Sequence, residues 1–168
     1  MEENEIFKPL EIYQQDNLDK ERRALVVKAT DLIQKTRYSL TTQENKIVLY
    51  ILSKIQPTDT AFTEYKFSIK QFCKVCNIGN TNYDYIKRTM QNLRRKNFWI
   101  VIDSKGTESC VDWFSVVRTN KRSGIITVKF HEDLQPFLLE LKSRFVKYSI
   151  FPTLAMKSQY SIRLYELL

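Results

Sequence analysis

SIKQFCKVCNIGNTNYDYIKRTMQNLRRKNFWI, residues 68–100, decides how this chain folds. Its first part reads as a short helix over Ser68–Cys76 that buries Phe72, Val75 and Cys76. Gly79, Asn80 and Thr81 break that periodicity. TNYD follows, with Thr81 and Asp84 at capping-box spacing, and opens a second helix. In that helix Ile86, Met90 and Leu93 recur at i, i+4 and i+7 and turn toward a core. Lys87, Arg88, Gln91, Arg94 and Arg95 fall elsewhere on the wheel, toward solvent. A short helix, a tight turn and a basic second helix present that second helix to a DNA groove.

Working outward toward the C-terminus, Phe98–Ile102 reads as a strand and Asp103–Gly106 as a polar turn. Val111–Arg118 and Ile125–Phe130 are β-rich runs joined by TNKRSG, a hairpin wing with Lys121 and Arg122 at its tip. Leu134–Leu141 and Ser158–Leu168 read as helices. Toward the N-terminus, Tyr65, Phe67 and Ile69 alternate as in a short strand. Thr41 and Glu44 of TTQE form a capping box ahead of a helix whose apolar face is Ile47, Val48, Ile51, Leu52 and Ile55, stopped by Pro57. Ala24–Val27 is a strand, with a helix over Ala29–Thr36 behind it. The fold class is α+β: a winged helix-turn-helix, a helical bundle with a small antiparallel sheet and β-hairpin wing. Residues 1–22 are an acidic, flexible arm, and 23–168 a first winged-helix domain. The last helix closes on Leu167 and Leu168 without a polar cap, which points to a second domain beyond.

Composition narrows the function. The 168 residues carry 43% apolar and 12% aromatic side chains, enough for a real core. No apolar run approaches the ~20 residues that span a bilayer, and the acidic N-terminus is not a signal peptide. Three cysteines without an export signal fit a reducing cytoplasm. Cys73 and Cys76 form a lone CxxC; with only Cys110 and His131 besides, no metal site is expected, and the pair packs inside a helix. The net charge of +8 is unevenly spread. Residues 1–21 hold seven acids and two lysines, leaving 25 basic against 12 acidic residues, or +13, in the remainder. A basic body suits a polyanion, with the acidic arm competing weakly for the same surface. Phosphate-binding and dinucleotide glycine motifs are absent, and a single histidine supplies neither a nicking-enzyme metal site nor a Ser-His-Asp triad. No enzymatic activity and no cofactor are expected, and HED at 131–133 reads as a helix start.

The candidate DNA-contacting residues are therefore on the second helix and the wing. Asn80, Thr81, Asn82 and Tyr83 stand at the helix start, where base edges come within reach, with Lys87, Arg88 and Gln91 one turn on. Asparagine can pair with adenine and arginine with guanine. Arg94, Arg95 and Lys96 suit phosphates, Asp84 suits a cap, and Lys121 and Arg122 suit phosphates or the minor groove.

Several stretches together resemble one family, the replication initiator proteins of iteron-bearing plasmids. VVKATDLIQKTRYSLTTQENKIVLYILSKI resembles the family's opening, KFSIKQFCKVCNI and YIKRTMQNLRRKNFWIVI its first helix-turn-helix, and SQYSIRLYELL the signature closing its first domain. The resemblance covers residues 22–168. It implies two winged-helix domains in tandem, of which this is the first. It implies binding to double-stranded DNA at plasmid origin repeats, start of plasmid replication, recruitment of host replication initiator or helicase proteins, and homodimers that repress or limit copy number. It also implies that the second domain does most base reading, with backbone contacts and dimerisation left to the first. The alternatives are a dimerisation or protein-interaction module without DNA contact, and a transcriptional repressor. Phe98, Trp99, Trp113 and Phe114 either form a sheet face for a partner or cover the domain's own helices.

Overall fold

The computed structural model describes residues 20–34, 39–56, 58–76, 78, 83–139 and 145–167. The acidic arm up to residue 19, Pro57 and the turn residues Gly79 to Asn82 lie outside the described residues. In chain order the elements are β1 (Leu25–Ala29), α1 (Thr30–Gln34), α2 (Thr42–Leu52), β2 (Tyr65–Ser68), α3 (Ile69–Val75), α4 (Tyr83–Arg94), β3 (Phe98–Val101), β4 (Glu108–Val111), β5 (Phe114–Asn120) and β6 (Ile125–Phe130). A 3-10 turn (Glu132–Leu134), α5 (Gln135–Leu138), β7 (Phe145–Ser149), α6 (Phe151–Leu154) and α7 (Gln159–Leu167) complete them.

Helix α2 is the centre of the core. Its capping box forms as the spacing predicts: the Glu44 amide donates to Thr41 Oγ1 at 3.2 Å, and the Thr41 amide donates to Glu44 Oε2 at 2.9 Å. The sequence predicts one apolar stripe, yet every residue from Ile47 to Leu52 is buried. A helix buried all round must have packing partners on every side. Tyr50 meets Phe67 and Phe72 edge-on at 5.8 and 5.3 Å between ring centroids, so α2 locks onto β2 and α3.

The first helix of the helix-turn-helix starts at Ile69, one residue later than the Ser68 start read from the sequence. Ile69 does not continue the strand; Ser68 caps α3, its Oγ accepting from the Gln71 amide at 3.2 Å, and Ile69 is the first helical residue. Cys73 and Cys76 are buried, unbridged thiols, and burial pushes Cys76 up to about 12.

The run Val111–Arg118 is two strands rather than one. Asp103 Oδ1 accepts from the amides of Lys105 and Thr107 at 2.9 and 3.0 Å, which turns the chain so that β4 pairs back on β3. The chain then bends at Asp112–Trp113, and β5 enters a separate antiparallel sheet ordered β2-β6-β5. The bend buries Trp113 and Phe114, and Phe98 stacks tilted on Trp113 at 5.3 Å. Of the four aromatics singled out, three therefore cover the domain's own core, and Trp99 alone stays exposed, at 61%. The helix expected over Leu134–Leu141 is shorter: a 3-10 turn capped by His131, whose Nδ1 accepts from the Asp133 amide at 3.1 Å, then α5 to Leu138.

Strand β7 and helix α6 were not legible locally. FVKYS has no clean alternation, and its partner is β1, paired from Leu25↔Ser149 to Ala29↔Phe145. Under this two-stranded sheet sits a buried ionic cluster. Lys28 Nζ, on β1, donates to Glu166 Oε1 on α7. The Tyr148 hydroxyl donates to the same oxygen at 2.5 Å, and Arg163 lies 3.5 Å from Oε2. Burial raises the Glu166 carboxyl, but the Lys28 ammonium, the two hydrogen bonds and Arg163 outweigh it and hold it below the usual carboxylate range.

Glu166→Leu leaves the Lys28 ammonium buried without its carboxylate and lowers unfolding free energy by about 3–5 kcal/mol in urea titrations, while Lys28→Met/Glu166→Leu loses much less. Because the folded carboxyl titrates below its unfolded value of about 4.3, the cluster's contribution is full above that pH and lost as pH falls through the lower folded value. Acid-unfolding curves of the parent and the double variant should thus converge at low pH. Thr41→Ala removes the cap of α2 and lowers unfolding free energy by about 1 kcal/mol, measured by the same titration.

Candidate nucleic-acid interface

Helix α4 shows the division that its sequence predicts. Ile86, Met90 and Leu93 are buried, and Lys87, Arg88, Gln91, Arg94 and Arg95 are exposed. Asn80, Thr81 and Asn82, expected at the helix start, lie outside the described residues, as does the Thr81 half of the expected capping box.

Tyr83, the first residue of α4, packs half-buried, and its hydroxyl donates to Thr119 Oγ1 on β5 at 2.6 Å. That bond draws the wing onto the start of the helix. Lys87 Nζ and Lys121 Nζ flank the same ring, 6.0 and 5.9 Å from its centroid. Lys121 Nζ also lies 3.9 Å from Asp84 Oδ2, with both side chains mostly exposed, so the attraction is weak. Tyr83 is thus the hinge pin between helix and wing, with its hydroxyl already engaged inside the protein.

The wing tip is built by turn chemistry. The Gly124 amide donates to the Asn120 carbonyl at 2.8 Å and the Ser123 amide to Asn120 Oδ1 at 3.1 Å. Gly124 has φ 67°, in the left-handed region that favours glycine. Lys121 and Arg122 are left exposed at the apex.

Between α4 and β5 runs an open groove of about 400 Å³ lined by Lys87, Gln91, Arg94 and Arg95, with Met90, Val117 and Thr119 as its floor. Arg88 is exposed on the same helix but outside that lining. Val117 and Thr119 were not anticipated as site residues, although their i, i+2 spacing puts them on one face of β5. Arg94 lies 3.5 Å from Asp112 Oδ2, a half-exposed pair. Lys96 is a different case. Its ammonium donates to Glu44 Oε2 at 2.7 Å, and Glu44 is buried, so Lys96 fastens the end of α4 to the cap of α2.

The groove is a cationic trough with an apolar floor, suited to a polyanion. Among the described residues no group of three or more His, Cys, Asp or Glu side chains could hold a metal ion. No helix among them is long and apolar enough to cross a membrane.

Comparison with known proteins agrees with this architecture. Residues 25–168 match the family model described as the initiator replication protein, WH1. A "Replication initiation protein" of Escherichia coli is 25% identical over 147 residues, covering 84% of this chain and 45% of that protein. The fold is similar to that of the Pi initiator protein, whose crystal structure was solved in complex with iteron DNA. The match has a TM-score of 0.67 at 16% identity, covering 87% of this chain and 63% of that one. The chain therefore spans less than half the length of the first relative and under two thirds of the second. The family match over nearly the whole chain and the winged-helix likeness together place it: the chain belongs to the initiator replication protein family, as a WH1 domain.

Proposed function

We propose that this domain binds the repeated sites of a plasmid origin as part of a replication initiator, gripping double-stranded DNA chiefly through its backbone. The observation that carries the reading is the Tyr83–Thr119 bond, which joins the wing to α4 and so brings the Lys121 and Arg122 tip beside the groove cations Lys87, Arg94 and Arg95 and the polar Gln91. The Pi neighbour, solved with iteron DNA, and the name of the Escherichia coli relative support it. Arg88 is the described residue within reach of base edges in this reading, and Asn80, Thr81 and Asn82 precede α4 in sequence. The domain acts without catalysis, in the cytoplasm, with host replication initiator or helicase proteins as further partners. It pairs with itself, and the exposed Trp99, Val101 and Ile102 at β3 are the apolar surface that supports pairing. Control of copy number through such dimers completes the proposal.

Salt separates this reading from a domain that only pairs with proteins. Lys121→Ala/Arg122→Ala should weaken binding to origin repeats and to unrelated duplexes alike. The slope of log affinity against log salt should become shallower by about 0.9 for each phosphate no longer neutralised. A loss confined to the origin repeat would assign the tip to base reading instead. Absence of origin binding by the parent chain at ~50 mM salt, where such contacts are strongest, would overturn the proposal. Tyr83→Phe removes only the bond between helix and wing. It should cost about 0.5–1.5 kcal/mol in stability and lower DNA affinity several-fold, as read by fluorescence anisotropy.

A further inference from the structure

The three-stranded sheet has a second face. Tyr65, Phe67, Ile126 and Val128 point inward and are buried. Side chains alternate, so the residues between them point away from the core and away from the α4 groove. In the cross-strand register Lys66 on β2 and Arg118 on β5 both stand opposite Thr127 on β6, which puts the three in one row. Lys129 is two residues further along β6, on the same face. With strands about 4.8 Å apart and a two-residue repeat of about 7 Å, the three cations form a triangle with sides of about 7–10 Å.

One carboxylate stands among them. Glu64, just before β2, accepts from Arg118 Nη1 at 2.5 Å. That bond and the Arg118 charge hold its carboxyl below the usual range, and the charges of Lys66 and Lys129 add to the effect. Arg118 thus bonds the carboxylate, and Lys66 and Lys129, on the same face, act on it through their charge. The pair is open to water, with the Arg118 side chain 62% and the Glu64 side chain 46% exposed. An exposed pair of this kind is worth little, and an incoming anion can replace its acid.

We propose that this outward face is a second contact for the DNA backbone, in which a phosphate takes the position that Glu64 holds in the free protein. Its occupant is a separate stretch of double-stranded DNA, because Arg118 and its neighbours Val117 and Thr119 point to opposite sides of β5. A duplex seated in the α4 groove lies on the other side. A lipid surface fits less well: the large exposed apolar side chains of the described residues include none on β2, β5 or β6, and stable docking on a bilayer buries apolar area. The proposal takes its class of ligand from the DNA-binding reading above but concerns different residues.

The experiment uses the whole chain and a short duplex of random sequence. Lys66→Ala/Lys129→Ala should make the salt slope shallower by up to about 0.9, the value for one phosphate, both in the parent and in a Lys87→Ala/Arg88→Ala background. Glu64→Gln, which leaves all three cations in place, should bind several-fold tighter at low salt. At a concentration where sedimentation shows single chains, the parent should also capture a labelled duplex onto beads carrying an unlabelled one, and Lys66→Ala/Lys129→Ala should lose that capture. An unchanged slope, or capture retained without Lys66 and Lys129, overturns the proposal. So does a Lys66/Lys129-dependent capture of phosphatidylserine vesicles with DNA binding unaltered, which would assign the face to membranes. Weakening by Lys87→Ala/Arg88→Ala alone removes the second surface and leaves the groove reading standing. If neither pair of substitutions changes DNA affinity, the groove reading falls as well.

Discussion

Lys28 places an ammonium inside the protein, and burying an ammonium costs several kcal/mol unless a well-aligned partner offsets it. Glu166 is that partner, 138 residues further along the chain. The carboxylate also accepts from Tyr148 on β7 and lies beside Arg163, which in turn donates to the Ile33 carbonyl after β1. The Lys28 ammonium sits 5.7 Å from the Trp113 ring centroid. First strand, seventh strand, last helix and the bend between β4 and β5 thus share one cluster. None of them can shift without exposing or unpairing a buried charge.

That constraint reaches the basic groove of α4 through Trp113. The bend it fills fixes where β5 begins, and the register shift between Phe114 and Val116 then sets which β5 residues face α4: Val117 and Thr119 inward, Arg118 outward. Helix α4 is then held at both ends, by Tyr83 on Thr119 at its start and by Lys96 on Glu44 just past its end. The backbone of the basic helix is positioned by these contacts. Its long side chains remain in water, able to follow a phosphate backbone without disturbing the core.

Features encoded within one or two turns were legible from the sequence. TTQE declared the cap of α2, Ile86, Met90 and Leu93 the inner face of α4, and TNKRSG the wing tip, because each depends on residues a few positions apart. The winged-helix class followed from them, and the resemblance to plasmid initiators matches the family found. Pairings across the chain were not legible. FVKYS becomes a strand only because β1 needs a partner, and Val111–Arg118 splits only because Trp113 finds a hole in the core. The same limit applied at the site. The exposed cations of α4 could be read from periodicity, whereas Thr119 as the anchor of Tyr83 depends on two segments meeting in space.

The basic residues of this domain divide by the burial of the acid each one meets. Lys28 and Lys96 are paired with Glu166 and Glu44, both buried; releasing either lysine would strand a carboxylate in the core, so these two belong to the fold. Lys121 with Asp84 and Arg118 with Glu64 are exposed pairs, and Arg94 with Asp112 is half-exposed. Exposed pairs contribute about 0–1 kcal/mol, so a phosphate can displace the acid at little cost in stability. Such acids lower the self-repulsion of a strongly basic surface. Net charge alone does not separate the two groups. Lys96 continues the basic run of Arg94 and Arg95 in sequence, yet it contributes to the fold, while Arg94 and Arg95 line the groove.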